Sequence, residues 1–269
     1  MFILQSLREF VDNPMGKGSN AIPSRHLIRE DLNRRFEKML GEKEKKVSLE
    51  IYRDRDSYYF HFKIPSESSL RKNNYDVVLH FFLDENTKDA QQDKNLNRYL
   101  VRFFSNSPGF TYTYAYAFNL HGLLIEGLSD KFKPIVLQNP PVTRNPGEII
   151  SYEKTTYFAC IYLLQNNKYL SKMIINPIAK PLKWNEFQRK IRNTDQIELE
   201  IRKENQRVER EKKAQKLEQE RKSNSLLKEL ARREEKKVRG AKARSDIRRI
   251  TPKSKITPRN SSITKIKPK

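Results

Sequence analysis

Cysteine occurs once in the 269 residues, at Cys160, and tryptophan once, at Trp184. A single cysteine cannot close an intrachain bridge, so a disulfide scaffold is excluded and a reducing compartment is expected. No run reaches the roughly 18 to 20 apolar residues that cross a bilayer. The opening MFILQSLREF meets Arg8 and Glu9 too early for the apolar stretch of a secretory leader. Aromatic residues are missing after Phe187: all 27 lie between Phe2 and Phe187, 24 of them beyond residue 45. Pro and Gly are both missing from Asn185 to Arg239, and Lys and Arg from between Ser105 and Asp130. These gaps place a core before Phe187, a helix-permissive segment after it, and an aromatic stretch with no local cations.

Charge follows the same divisions. Lys and Arg number 55 against 33 Asp and Glu, a net +22. Residues 1–44 carry 8 basic and 7 acidic groups, 45–184 carry 19 and 13, and 185–239 carry 18 and 12, while 240–269 carry 10 basic groups against Asp246 alone. The last 30 residues therefore hold +9. The expected organisation is a helical arm with a glycine-containing loop (1–44), a β-rich globular domain (45–184), a long charged helix (185–239) and a disordered basic tail (240–269). The fold class is α+β with an antiparallel β-rich body.

Ile3, Leu7 and Phe10 share one helical face before Asp12-Asn13-Pro14 stops it. Leu27, Ile28, Leu32, Phe36, Met39 and Leu40 recur at helical spacing, with Ser24 where an N-cap belongs and Gly41 where a C-cap belongs. From Val47 the period becomes two. Val47, Leu49 and Ile51 alternate with polar residues, Arg53 to Ser57 make a turn, and Tyr58, Phe60, Phe62 and Ile64 alternate again, so a hairpin ending at Pro65 is predicted. Tyr75 to Leu83 and Asn97 to Phe104 are further strands, with a polar loop between. Phe110 to Phe118 alternates aromatics with Thr or Ala and predicts a strand presenting Phe110, Tyr112, Tyr114, Tyr116 and Phe118 on one face. Residues 133–147 hold four of the thirteen prolines and read as a structured loop. Glu148 to Leu164 admits a helix capped by Asn145-Pro146, or a strand from Tyr157 to Leu164 that turns into Tyr169 to Ile175; the strands are favoured. Asn176 to Leu182 reads as an extended connector.

In 185–239, Glu precedes a base by four residues at Glu186/Lys190, Glu198/Arg202, Glu209/Lys213, Glu218/Lys222 and Glu229/Arg233. Each pair adds about 0.3 kcal/mol to an isolated helix. The seam of Phe187, Ile191, Ile201 and Val208 is interrupted by Glu198, Lys212 and Gln215, so a strong coiled coil is not expected. Ser223-Asn224-Ser225 is where such a helix would break, beside a sticky patch at Leu226, Leu227 and Leu230.

Chemistry-bearing patterns are sparse. The histidines His26, His61, His80 and His121 form neither HxH nor HxxxH, and Cys160 has no CxxC partner. His61 and His80 are read as ordinary strand histidines, solvent-facing or hydrogen-bonded in the core, rather than as ligands. No GxSxG is present, and the main strand-bound acids are Glu50, Asp76 and Glu126, too few to converge on a divalent ion. In MGKGS, Gly18 intrudes between Lys17 and Ser19, which breaks the phosphate-loop pattern, and Gly16 and Gly18 are too close for a GxxG clamp. No catalytic residue, metal, cofactor or small-molecule substrate is expected. The basic tail is the clearest signal. Lys242, Arg244, Arg248, Arg249, Lys253, Lys255, Arg259, Lys265, Lys267 and Lys269 would attract a polyanion non-specifically and salt-sensitively. The tail lacks the Trp, Phe or Leu that would insert into a membrane.

The run NPMGKGSNAIPSRHLIREDLNRRFEKML, Asn13 to Leu40, resembles the opening of structural proteins from large tailed bacteriophages of low-GC hosts, through its Pro-Met-Gly-Lys-Gly-Ser turn followed by an Asp-Leu-Asn-Arg-Arg helix. The resemblance implies a virion component of the neck, connector or tail, assembled in the host cytoplasm, whose terminal segments reach neighbouring subunits. The expected function is non-enzymatic assembly. Its partners are other structural proteins or further copies, met through Met15, Lys17, the aromatic row and the Leu226 patch, with the tail contacting nucleic acid. The competing expectation is a nucleic-acid-binding protein in which helix and tail supply the affinity.

Overall fold

The computed structural model describes residues 4–14, 29–42, 46–67, 73–145 and 147–250, with side chains up to residue 239. The chain falls into two units, Met1–Val208 and Glu209–Lys269. The fold class is α+β.

The sheet of the first unit is built from β1 (Ser48–Asp54), β2 (Ser57–Pro65), β3 (Asn74–Phe82), β4 (Leu100–Ser105) and the two-residue β5 (Lys180–Pro181), in the order β4-β3-β2-β1-β5. Neighbours from β1 to β4 are antiparallel, and β5 lies parallel to β1, which makes the sheet mixed. The predicted hairpin forms as β1 and β2, with Asp54 opposite Ser57 and Arg55 in the left-handed region at φ 51°. The expected connector at 176–182 thus contributes a strand edge.

Side chains alternate across the sheet, so each face has its own chemistry. On one face Phe60, Phe62, Ile64, Val77, Leu79, Phe81, Val101 and Phe103 are fully buried. They pack beneath α1 (Leu7–Asp12), α2 (Arg29–Gly41) and α6 (Lys154–Gln165), with Phe10 at 4.3 Å from Phe103 and Phe36 at 5.3 Å from Phe158, centroid to centroid. Ser6 and Glu9 form a capping box on α1. The Ser24 cap expected for α2 lies outside the described residues.

Two predicted strand regions are helical instead. Phe110–Phe118 forms α3 (Pro108–Thr113) and α4 (Ala115–Leu120), the first capped by the Ser107 hydroxyl with Pro108 in its first turn. A helix places residues four apart on one side, so the five rings separate: Phe110, Tyr114 and Phe118 enter the core, whereas Tyr112 and Tyr116 stay half-buried. The strand reading of Tyr157–Leu164 fails in the same way. This segment is α6, and Tyr169–Ile175 becomes a 3-10 turn followed by α7 (Lys172–Ile175). The N-cap of α6 is Glu153, whose carboxylate accepts from the Thr155 and Thr156 amides at 2.7 and 3.0 Å. Every residue from Thr155 to Ile161 is buried, so no polar face marked the helical period. The proline-rich loop contains one helical turn, α5 (Pro134–Gln138), begun by Pro134.

The other sheet face is covered by α8 (Trp184–Lys190), which brings Trp184 and Phe187 onto Tyr59 at 5.8 Å each. Gly127, at φ 76°, lies under the indole, where an added Cβ would come 2.5 Å from Trp184. The core continues past Phe187 to Ile191 and Ile197, beyond its expected end. Residues 191–193 interrupt the expected single helix, and α9 (Thr194–Ile250) then runs on without a break at Ser223-Asn224-Ser225. Residues 240–250, expected to be disordered, continue this helix; 251–269 lie outside the described residues.

Candidate functional site

The face under α8 carries the polar side chains of the sheet. The register places Glu50 opposite His61, and Tyr59 opposite His80, which in turn stands opposite Arg102. Asp76 is fully buried and joins three elements. Its Oδ1 lies 2.9 Å from His61 Nε2, and its Oδ2 accepts from Asn106 Nδ2 and Arg192 Nε, both at 2.9 Å. Asn106 returns its carbonyl oxygen to the Asp76 amide at 2.8 Å. Arg192 also donates to Glu200 and to the Asn74 carbonyl. Burial raises the Asp76 carboxyl, yet His61 and Arg192 together hold it below the usual carboxylate range. The cluster locks the turn between α8 and α9 onto β3. The arginine that pairs with Asp76 thus comes from 116 residues away in the chain.

Beside it, Tyr59 and His80 stack at 4.0 Å with 7° between planes, Phe82 continues the row at 5.2 Å, and the Arg102 guanidinium lies 4.6 Å above Phe82. Arg102 pairs with Glu126 at 2.8 Å, and Glu126 sits in a turn rather than in the expected strand. Burial, then the Arg102 charge, lowers the His80 pKa to about 3. A base whose folded pKa lies below its unfolded value of about 6.5 stabilises the fold fully above pH 6.5 and loses that contribution as pH falls toward 3. At pH 4.5 the loss from His80 is about 2–3 kcal/mol. His80→Phe, which preserves the stack, is therefore expected to lose less stability than the wild type between pH 7.5 and 4.5 in urea unfolding. An identical pH dependence in both proteins would refute the buried neutral imidazole.

Glu50 sits at the sheet edge, 2.7 Å from Lys180 and 3.6 Å from Lys190, and accepts from the Tyr52 hydroxyl. The Lys180 hydrogen bond, then that of Tyr52, holds its carboxyl down at about 2. Each of the strand acids named from the sequence is thus committed to a cation of the first unit. Among the described residues, no group of three or more His, Cys, Asp or Glu side chains stands where it could hold a metal ion.

The residues expected to meet partners are scattered. Tyr112 and Tyr116 line a pocket of about 400 Å³ with Val136, Asn139 and Pro141, and the Arg144 guanidinium lies 5.7 Å from the Tyr112 ring centre. Phe110, Tyr114 and Phe118 are excluded from it by burial, so the continuous aromatic docking face does not exist. Leu226, Leu227 and Leu230 are 60, 63 and 56% exposed on α9. Met15 and Lys17 lie outside the described residues. Lys242, Arg244, Arg248 and Arg249 fall on the α9 backbone, and Lys253, Lys255, Arg259, Lys265, Lys267 and Lys269 lie outside the described residues.

Charge dominates the second unit. Residues 209–269 carry 22 basic and 8 acidic groups, a net +14, leaving +8 for residues 1–208. On 209–239 every side chain is exposed. Ion pairs such as Lys222–Glu218 at 2.7 Å and Arg233–Glu229 at 2.8 Å form there at the spacing predicted for them. No helix among the described residues is long and apolar enough to cross a membrane. No protein-family model, no curated protein and no solved structure matches the chain.

The sequence reading missed Arg192, Asn106 and Arg144. Nothing local signals the first two, because their partner Asp76 is 116 and 30 residues distant. Arg144 lay in plain view within the proline-rich segment, but its relation to Tyr112 requires Tyr112 to be helical.

Proposed function

We propose that the chain is a non-enzymatic structural protein of a tailed-phage virion, which contacts nucleic acid through its cationic C-terminal region and other proteins through its N-terminal arm and the exposed leucines of α9. The observation that carries this reading is the segregation of charge: +14 of the +22 resides in 209–269, where none of the described side chains, 209–239, contributes to the core. The acids of the sheet, by contrast, are committed to structural cations: Asp76 to Arg192 in the α8–α9 turn, and Glu50 to Lys180 of β5 and Lys190 of α8. Virion membership rests on the resemblance at Asn13–Leu40. A stand-alone nucleic-acid-binding protein is the second reading, favoured by the loss of the aromatic docking face.

The test is a titration of the full-length chain with random-sequence duplex from 50 to 300 mM salt, with mass measured by light scattering on the same samples. Salt-steep binding together with a defined oligomer is the expected result. A monomer at every concentration would transfer support to the stand-alone reading, and an affinity indifferent to salt would remove nucleic acid from both.

A further inference from the structure

The cations of α9 are not equivalent. At 3.6 residues per turn, Arg210, Arg221, Lys228, Arg232 and Arg239 fall within about 40° of arc, along roughly 44 Å of axis. No acidic residue of 209–239 shares that arc, although Glu235 borders it. The remaining acids gather in two other rows, Glu209, Glu220 and Glu234 on one side and Glu211, Glu218 and Glu229 on the other. The helix ion pairs use cations beside those rows, such as Lys222 and Arg233. Among the described residues, none of the five stripe cations enters an ion pair, and all five are exposed.

We infer that this stripe is the binding surface for the phosphate backbone of a nucleic-acid duplex, an inference that rests on the proposed contact with nucleic acid and places it on the helix rather than on the tail alone. Charge complementarity names a polyanion. Two features select nucleic acid over an acidic protein. Four of the five cations are Arg, whose planar fork matches phosphate oxygens. The arc also contains no apolar side chain larger than Ala214; Leu217 borders it as Glu235 does, while Leu226 and Leu230 project from nearly the opposite side, so the face carries one apolar side chain at its edge and no cluster of protein-interface anchors. A cation already satisfied by a neighbouring carboxylate must break that pair to meet a phosphate. The stripe cations form no such pair among the described residues, and only Arg239 has a carboxylate, Glu235, four residues before it.

The test compares two full-length variants carrying the same loss of five charges. One replaces Arg210, Arg221, Lys228, Arg232 and Arg239 with Gln, and the other replaces Lys213, Lys216, Lys222, Arg233 and Lys236 with Gln. Gln keeps a helix propensity close to that of Lys and Arg, and circular dichroism checks that both helices persist. Binding to random-sequence duplex is measured across a salt series. The stripe variant is expected to lose about 4 units of log-log salt slope and at least 100-fold in affinity at about 0.1 M salt, the control less than a third of that slope. Equal losses in both variants would overturn the stripe while leaving a diffusely cationic nucleic-acid contact intact. Absence of salt-dependent binding by the wild-type chain would overturn the functional reading and the stripe with it. Competition by polyglutamate as effective per charge as the duplex would reassign the face to an acidic protein.

Discussion

Asp76→Ala is expected to destabilise the first unit by about 3–5 kcal/mol, the largest loss from any single polar substitution in it. The carboxylate is fully buried and receives His61, Asn106 and Arg192, so its removal leaves the buried His61 ring without its partner and takes one acceptor each from Asn106 and from Arg192, which keeps Glu200 and the Asn74 carbonyl. The cost comes from those deprived partners more than from the lost bonds. Arg192→Met, which leaves His61 and Asn106 on the carboxylate, is expected to cost less, about 1–3 kcal/mol. Because the two residues share one network, the double variant should be more stable than the sum of single losses implies. Trp184, the sole tryptophan, packs against Tyr59 on the same face and reports unfolding by fluorescence in urea. A loss below about 1 kcal/mol for Asp76→Ala would mean that the cluster is hydrated and does not anchor the α8–α9 turn.

The second large effect separates residues that look alike in sequence. Phe118→Ala is expected to cost about 3–5 kcal/mol and Tyr112→Ala under about 1.5 kcal/mol, measured by urea unfolding with an unchanged m-value. Phe118 is fully buried and touches Phe10, Phe103, Phe110 and Tyr114 at ring-centre distances from 5.1 to 6.5 Å, so truncation opens a cavity that four rings cannot close. Tyr112 lines an open pocket and leaves no enclosed void. Were this segment a strand with all five rings on one face, Phe110, Tyr112, Tyr114, Tyr116 and Phe118 would respond in similar measure. Equal costs at Tyr112 and Phe118 would therefore count against the helical assignment.

The hairpin from Ser48 to Pro65 was legible because one face is apolar and the period of two survives in the residue order. That 194–239 is helical was legible too, though not where α9 begins or ends, since absent Pro and Gly and repeated Glu-to-base spacings act within a few residues along the chain. Alternation misled at Phe110–Phe118, where Thr and Ala between the rings imitate a strand, and the Ser107 cap with Pro108 was the local signal that outweighs it. At Tyr157–Leu164 no local signal was available. A helix buried on every side has no polar face, and its residues favour either structure.

The sequence by itself determined the amphipathic elements, the end of the aromatic core and the segregation of positive charge, because each is a property of neighbours in the chain. The tertiary structure alone decided the rest. It turned an isolated acid on β3 into the buried partner of Arg192, and a row of five aromatics into three core rings and two pocket rings. Both changes rest on long-range packing that the residue order does not show. Those outcomes depend on which faces meet after the chain has closed loops of tens of residues, and no local period or composition encodes that meeting.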